Sequence, residues 1–346
     1  MDSDESMSTI KPVKIRLEAS SACQLRCPSC PTAQGIIGKS AVGTGLLRFD
    51  DFKTLLDENP TLREVGLSNW GEVLLNPQLV EILAHAQAKG VRVNLSNGVN
   101  LNTASDEMLE ALVKYDVEEI TVSIDGASQE TYQQYRVRGH FDTVIGNVRK
   151  INAFKRQYHS QQPRLNWQFV IFGHNEHEIN AVKALCQELD MAFRPKLNWD
   201  AEFSPVRNKE QVMLDAGLAA TTRQDDWEQT HKFQQCLQLW NEPQINWDGK
   251  VLGCCVNYWQ DFGGNVFSDG LEAALNGDQI SYAREMLMGQ APARADIPCT
   301  TCTKYQRMAE EQVWIKQSDV LMDQRWMVRL RRFPLLYRAA RFVINR

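Results

Sequence analysis

The chain has 346 residues, 43% of them hydrophobic and 23% charged, with a net charge of −5. Such a composition fits a globular protein of one large or two modest domains. The mild acidity gives no global basic field to draw a nucleic acid, so no nucleic-acid partner is expected. Residues 1–10 are polar and acidic, without the basic start and apolar centre of a secretion signal. No run approaches the roughly 20 apolar residues of a membrane-spanning helix. Nine cysteines in such a chain point to a reducing compartment, where clustered thiols mean metal or catalysis more than disulfides. A cytoplasmic location is expected.

In chain order, apolar strand-like runs are read at 13–19, 64–68, 91–96, 119–124, 166–172 and 193–198. Helical patterns fall between them at 50–58, 77–89, 105–115, 129–136, 141–158 and 176–189. Asp50 and Ser105 are placed to cap two of these helices, and Gly90 to end another. Strands alternating with helices of this length predict βαβ units and a parallel sheet. The expected class is α/β: a partial (β/α)6 TIM-like barrel followed by a small α+β auxiliary domain. A doubly wound open sheet is the alternative. The polar and Gly-rich motifs all fall just after strands: 23–30, Asn69-Trp70-Gly71-Glu72, Asn97-Gly98 and Ser123-Ile124-Asp125-Gly126. In barrel-type α/β folds that edge is the reaction face.

The first of these motifs is a trio of cysteines, Cys23, Cys27 and Cys30, spaced C-x3-C-x2-C. Three close thiols are a cage for a soft metal centre. A structural zinc takes four ligands, and so does a cubane held only by protein. Three leave one iron open. A zinc or redox site, or thiols with no shared role, is the plainer reading.

This spacing resembles the signature of the radical S-adenosylmethionine (SAM) superfamily. The resemblance implies a [4Fe-4S] cluster on Cys23, Cys27 and Cys30 whose fourth iron is chelated by SAM. It further implies reductive SAM cleavage and hydrogen abstraction by a 5′-deoxyadenosyl radical, with an external electron donor of flavodoxin or ferredoxin type. Gly71-Glu72 resembles the family's Gly-Gly-Glu motif, implied to hold the SAM amino group, with Trp70 in place of the first glycine. Asn97 is counted with the cofactor contacts. Ser123 and Arg136 resemble residues that contact SAM ribose and carboxylate, which suits a guanidinium fork. A surface salt bridge is the plainer role for Arg136. Ser29 departs from the aromatic residue usual before the third cysteine.

A second set, Cys236, Cys254, Cys299 and Cys302, lies near the C-terminal end. Asp248-Gly249 ahead of Cys254 signals a hairpin with a type I′ turn. The pattern resembles SPASM and twitch domains, which implies one auxiliary [4Fe-4S] cluster with full protein ligation. A four-cysteine zinc site has the same ligand count. The resemblance places the barrel at 11–200 and the auxiliary domain at 230–310. Of the remaining thiols, Cys186 reads as a buried apolar residue. Cys255 reads as a packed thiol, a substitute ligand for Cys254, or a catalytic hydrogen donor.

Trp167, Trp199, Trp240, Trp247 and Trp259 read as mostly strand-borne core residues. Asn198, Trp199 and Asp200 are candidate substrate contacts. His174 and His177 read as solvated or acid–base groups. Residues 311–346 form a basic tail in which seven arginines after position 324 interleave with apolar residues. Such a tail lies on an anionic membrane surface, docks an acidic partner, or packs on the body. The resemblance implies a radical SAM oxidoreductase acting on a small hydroxylated, sugar- or aminocyclitol-like substrate, with the auxiliary cluster as electron acceptor. Sugar epimerisation with Cys255 as hydrogen donor is second. Maturation of a ribosomal peptide is third, because only about 22 residues precede Cys23. A non-enzymatic iron–sulfur or zinc protein that binds a partner through the tail is the last alternative.

Overall fold

The computed structural model of the chain describes residues 7–200, 202–221 and 236–320. The basic tail beyond residue 320, and with it the expected membrane contact, lies outside the described residues. Six parallel strands follow one another in space as in sequence: β1 (Lys14–Leu17), β2 (Glu64–Gly66), β3 (Arg92–Val99), β4 (Glu119–Ser123), β5 (Arg164–Ile171) and β6 (Met191–Leu197). Helices α1 (Phe49–Glu58), α2 (Leu79–Ala88), α3 (Asp106–Lys114), α4 (Gln129–Tyr135), α5 (Phe141–Gln157) and α6 (Ile179–Glu188) connect them. A doubly wound sheet would reverse direction partway. This order does not, which matches the one-way winding of a partial barrel.

The C-terminal part adds to the same sheet. Two short strands, β7 (Gln244–Ile245) and β8 (Val251–Gly253), extend the same sheet to eight strands in the order β6-β5-β4-β3-β2-β1-β7-β8. β7 pairs parallel with β1, Arg16 against Gln244 and Leu17 against Ile245. The auxiliary part thus continues the barrel's sheet at its β1 edge.

Strand alternation explains which side does what. Ile15, Leu17 and Ala19 are fully buried against the helix layer. Lys14, Arg16 and Glu18 alternate with them and share their side with buried polar groups. Lys14 and Arg16 both pair with Glu242, at 3.2 and 3.0 Å, and Lys14 also reaches Glu64 at 3.0 Å.

The local signals are met in part. The Ser105 hydroxyl accepts from Met108 N at 3.2 Å, as an N-cap should. Gly90 ends α2 in the left-handed region with φ +69°. Asp50 is not a cap, because α1 begins at Phe49 after Arg48, and Asp50 sits in its first turn beside the helix dipole. The 244–253 hairpin is real but its turn is not type I′. Gly249 N–H donates to Asn246 O at 3.0 Å, and only Gly249, φ +88°, is left-handed. That is a type I turn with a left-handed glycine, which forms a three-residue loop.

Asn97-Gly98 lies inside β3 rather than after it. The β3–β4 register shifts between Leu95 and Val99, and Gly98 adopts φ +101° at this irregularity. A side chain at Gly98 would sit 2.7 Å from Ser123 Oγ.

Candidate active site

The thiol trio sits on the loop that leaves β1. Cys23, Cys27 and Cys30 pack around one apolar group made of Leu25, Tyr135, Val170, Phe172 and Phe203. Burial pushes the Cys23 thiol up to about 12, with added repulsion from Glu72, Cys27 and Cys30. Cys27 is also raised by burial, against the opposing pull of Arg136. Thiols held this way are neutral until a cation replaces their protons. Two donors already address the sulfurs: Arg136 Nη1 lies 3.8 Å from Cys27 Sγ and Asn100 Nδ2 lies 3.9 Å from Cys23 Sγ.

Arg136 is not a surface residue. Its Nε donates to Asp125 Oδ2 at 2.6 Å, its side chain is 13% exposed, and Asp125 is fully buried. The other Asp125 oxygen accepts from Val170 N at 2.7 Å. The expectation of a surface salt bridge is therefore corrected. Asp125 has no evident role from sequence alone. Its position in the motif after β4 is the available signal.

Gly71 and Glu72 press against the same loop. Glu72 N donates to Ala22 O at 2.7 Å, and Thr32 Oγ1 to Trp70 O at 2.7 Å. A Cβ on residue 71 would lie 2.2 Å from Ser20 O and 2.6 Å from Ala22 O, so only glycine fits. The Glu72 carboxylate accepts from Asn100 N at 2.7 Å and Leu74 N at 3.2 Å. Trp70 takes the glycine's place by turning its ring edge-on to Tyr258 of the C-terminal part, centroids 5.6 Å apart.

Beyond the trio, the strand ends carry a row of hydrogen-bonding side chains. Asn97 Nδ2 donates to Asn69 Oδ1 at 2.6 Å. Gln168 Nε2 donates to Ser123 Oγ at 3.2 Å, and Lys196 Nζ to Gln168 Oε1 at 3.2 Å. Neither Asn69 nor Gln168 is among the site residues expected from sequence, since a lone amide on a strand end carries no signal there. Ser29 Oγ donates to Asp200 Oδ2 at 2.6 Å, and Trp199 Nε1 to Ser29 O at 3.4 Å. Trp199 and Trp259 are 40% and 39% exposed, so neither is the core residue expected. Trp167 is fully buried, and Trp240 is buried but helical. His174 is not solvated. It stacks on Phe172, its Nδ1 lies 2.8 Å from Ser204 Oγ, and burial lowers its pKa. His177 is exposed.

The second cysteine set is gathered as the spacing suggests. Cys236, Cys254, Cys255, Cys299 and Cys302 line one cavity of about 170 Å³, closed by Leu239, Phe262 and Leu287 among others. Burial drives the Cys254 and Cys299 thiols upward, and each is raised further by the thiols beside it. Among the described residues, no group of three or more His, Cys, Asp or Glu side chains is drawn together tightly enough to hold a metal ion, at this set or at the trio. Four thiols on one cavity match the ligand count of a cubane and of a structural zinc alike. Cys186 lies apart, 3% exposed within α6. Three, five and one account for all nine cysteines, so the first site has no fourth thiol. Cys255 ties the cavity wall to the loop after β2: its carbonyl accepts from Asn69 Nδ2 at 3.1 Å and its N–H donates to Gln238 Oε1 at 3.1 Å.

Two carboxyls here are held up to about 7 by burial, Glu18 and Glu72, against their ordinary 4.5. A folded-state value above the unfolded one favours folding at low pH, and that stability is lost as pH rises through about 7. Unfolding free energy should therefore decline between about pH 5 and about pH 8, and less steeply in Glu18→Gln or Glu72→Gln. Denaturant titrations across that range check it, and identical slopes contradict it.

Comparison with known proteins agrees with this geometry. The Radical SAM superfamily matches residues 17–183, and SPASM, an iron–sulfur cluster-binding domain, matches 236–303. The chain is 31% identical over 142 residues to the AdoMet-dependent heme synthase of Methanosarcina barkeri, covering 40% of this chain and 39% of that protein. It is 26% identical over 144 residues to the mycofactocin maturase MftC of Mycobacterium tuberculosis, covering 41% of this chain and 35% of that one. The chain thus spans less than two fifths of each of these relatives. Among solved structures, Streptococcus suis SuiB bound to S-adenosylmethionine shares the fold at TM-score 0.58 and 12% identity, over 85% of this chain and 71% of SuiB. No described helix is long and apolar enough to cross a membrane. The two matches imply a SAM-binding [4Fe-4S] cluster and auxiliary iron–sulfur ligation, and the gathered thiols fit both. The chain is a radical SAM protein with a C-terminal SPASM iron–sulfur cluster-binding domain.

Proposed function

We propose that this enzyme oxidises a small hydroxylated substrate, sugar- or aminocyclitol-like, on the face formed by the ends of β1 to β6. The observation that supports this most directly is the bonded chain Asn97–Asn69–Cys255, which links that face to the wall of the thiol cavity. In this reading residues 11–200 bind SAM and substrate and 230–310 house the acceptor. Cys23, Cys27 and Cys30 hold the first cluster. Cys236, Cys254, Cys299 and Cys302 hold the second, and Gly71, Glu72, Asn97, Ser123 and Arg136 border SAM.

When bound, the clusters and SAM would supply a 5′-deoxyadenosyl radical to take the C–H hydrogen atom and an acceptor for the remaining electron, and with the hydroxyl proton passing to water the alcohol would become a carbonyl. The chain supplies the setting. Amides and hydroxyls at Asn69, Asn97, Ser123 and Gln168 offer donors and acceptors suited to a polyol. Asp125 neutralises Arg136 in a buried position, which keeps a fixed donor aimed at Cys27. The first electron comes from a small flavodoxin- or ferredoxin-type donor.

The resemblance to MftC, named as a maturase, favours peptide modification as a second reading. Incubation under dithionite with SAM and a panel of polyols or peptides separates them. The proposal expects polyol-dependent 5′-deoxyadenosine and a product two hydrogens lighter. Response to peptides alone overturns it. Cys255→Ala should spare both 5′-deoxyadenosine formation and turnover. Loss of turnover with 5′-deoxyadenosine retained would assign Cys255 as the hydrogen donor of an epimerase.

A further inference from the structure

One buried carboxylate stands apart from the thiols themselves. Glu18 follows β1, is fully buried, and shares a side with Lys14 and Arg16. Its Oε2 accepts from Trp70 N at 2.9 Å and its Oε1 from Gly71 N at 3.3 Å. Two successive backbone N–H groups converging on one carboxylate form a nest, an arrangement that selects an anion.

The loop it grips, residues 69–72, touches every part of the site. Glu72 and Trp70 bond to the segments flanking the thiol trio, at Ala22 and Thr32. Asn69 bonds both Asn97 on the reaction face and Cys255 on the cavity wall. The Trp70 ring rests on Tyr258. Trp70 and Gly71 keep ordinary backbone conformations, and what fixes their N–H groups is an acceptor outside the loop. Glu18 supplies that hold from the strand next to the thiol loop.

We propose that Glu18 is a positioning residue for SAM, one that acts by fixing the loop 69–72 against the thiol trio. Its side chain bonds to the loop backbone rather than to a thiol, and the proposal does not depend on which substrate is correct. Its consequence is a specific one: replacing the carboxylate by an amide turns one acceptor into a donor facing a backbone N–H. The loop then loses at least one bond from a backbone N–H, while the cysteines remain in place.

The test is Glu18→Gln in the reconstituted protein, with iron content, thermal midpoint and SAM binding measured together. Iron should stay at the parent value. SAM affinity should fall about tenfold, the loss of one buried hydrogen bond. The electron paramagnetic resonance change that SAM causes in the reduced first cluster should shrink or shift at saturating SAM, a signature that lowered stability alone would not produce. An unaltered spectrum and affinity in Glu18→Gln overturns the proposal. Should that variant not fold, Glu18→Asp decides: an intermediate affinity with an altered spectrum supports the proposal, and parental values overturn it.

Discussion

Cys27→Ala is expected to form no 5′-deoxyadenosine and to retain about four of about eight irons per chain after anaerobic reconstitution. The remaining irons belong to the second thiol cavity, which shares no cysteine with the first. The reciprocal variant, Cys254→Ala, should lose the other four and keep the ability to cleave SAM without completing substrate turnover. Iron analysis with quantitation of 5′-deoxyadenosine checks both. A Cys27→Ala protein that still cleaves SAM contradicts the assignment of the trio. A parent with only about four irons removes the auxiliary acceptor, and with it the oxidation proposed above.

Arg136→Leu is expected to cost about 3–5 kcal/mol of unfolding free energy, because it strands a buried charge on Asp125. Asp125 is fully buried and keeps only the Val170 N–H as a partner once the guanidinium is gone. Asp125→Asn should cost less, about 1–3 kcal/mol, since a neutral amide keeps part of the hydrogen bonding. Denaturant unfolding of the cluster-free protein measures both without interference from iron. A loss under about 1 kcal/mol for Arg136→Leu would mean that the pair is solvated and the site more open than its burial indicates. The same variant should weaken SAM-dependent chemistry, since the guanidinium is the cation nearest Cys27 in the bonding pattern.

The spacing of the cysteines is enough to make the chemistry legible. The folded chain lines one cavity with the second four and Cys255 beside them, although they span positions 236 to 302, while the trio, within eight residues, is grouped by local spacing. The order of the strands is legible for the same reason: apolar runs and caps such as Ser105 act over a few residues. What escapes a reading of the sequence depends on contacts far apart in the chain. Glu18 meets Trp70 across 52 positions, and Asn69 meets Cys255 across 186. Nothing in either neighbourhood announces the other. Asp125 is visible in its motif, yet its partnership with Arg136 emerges only when α4 folds back over the thiol loop. Asp248-Gly249 marks a hairpin correctly but not its turn, because Asp248 keeps a right-handed backbone and the left-handed residue is Gly249 alone. The pairing of β7 with β1 is hidden for a different reason. A two-residue strand has too little pattern to read.

The most direct test of the account is resonance and Mössbauer spectroscopy of oxygen-free protein before and after SAM is added. Two cubane signals are expected, one of which changes with SAM and disappears in Cys27→Ala. A protein that takes up only zinc, or an iron signal that SAM leaves untouched, would contradict the account at its base.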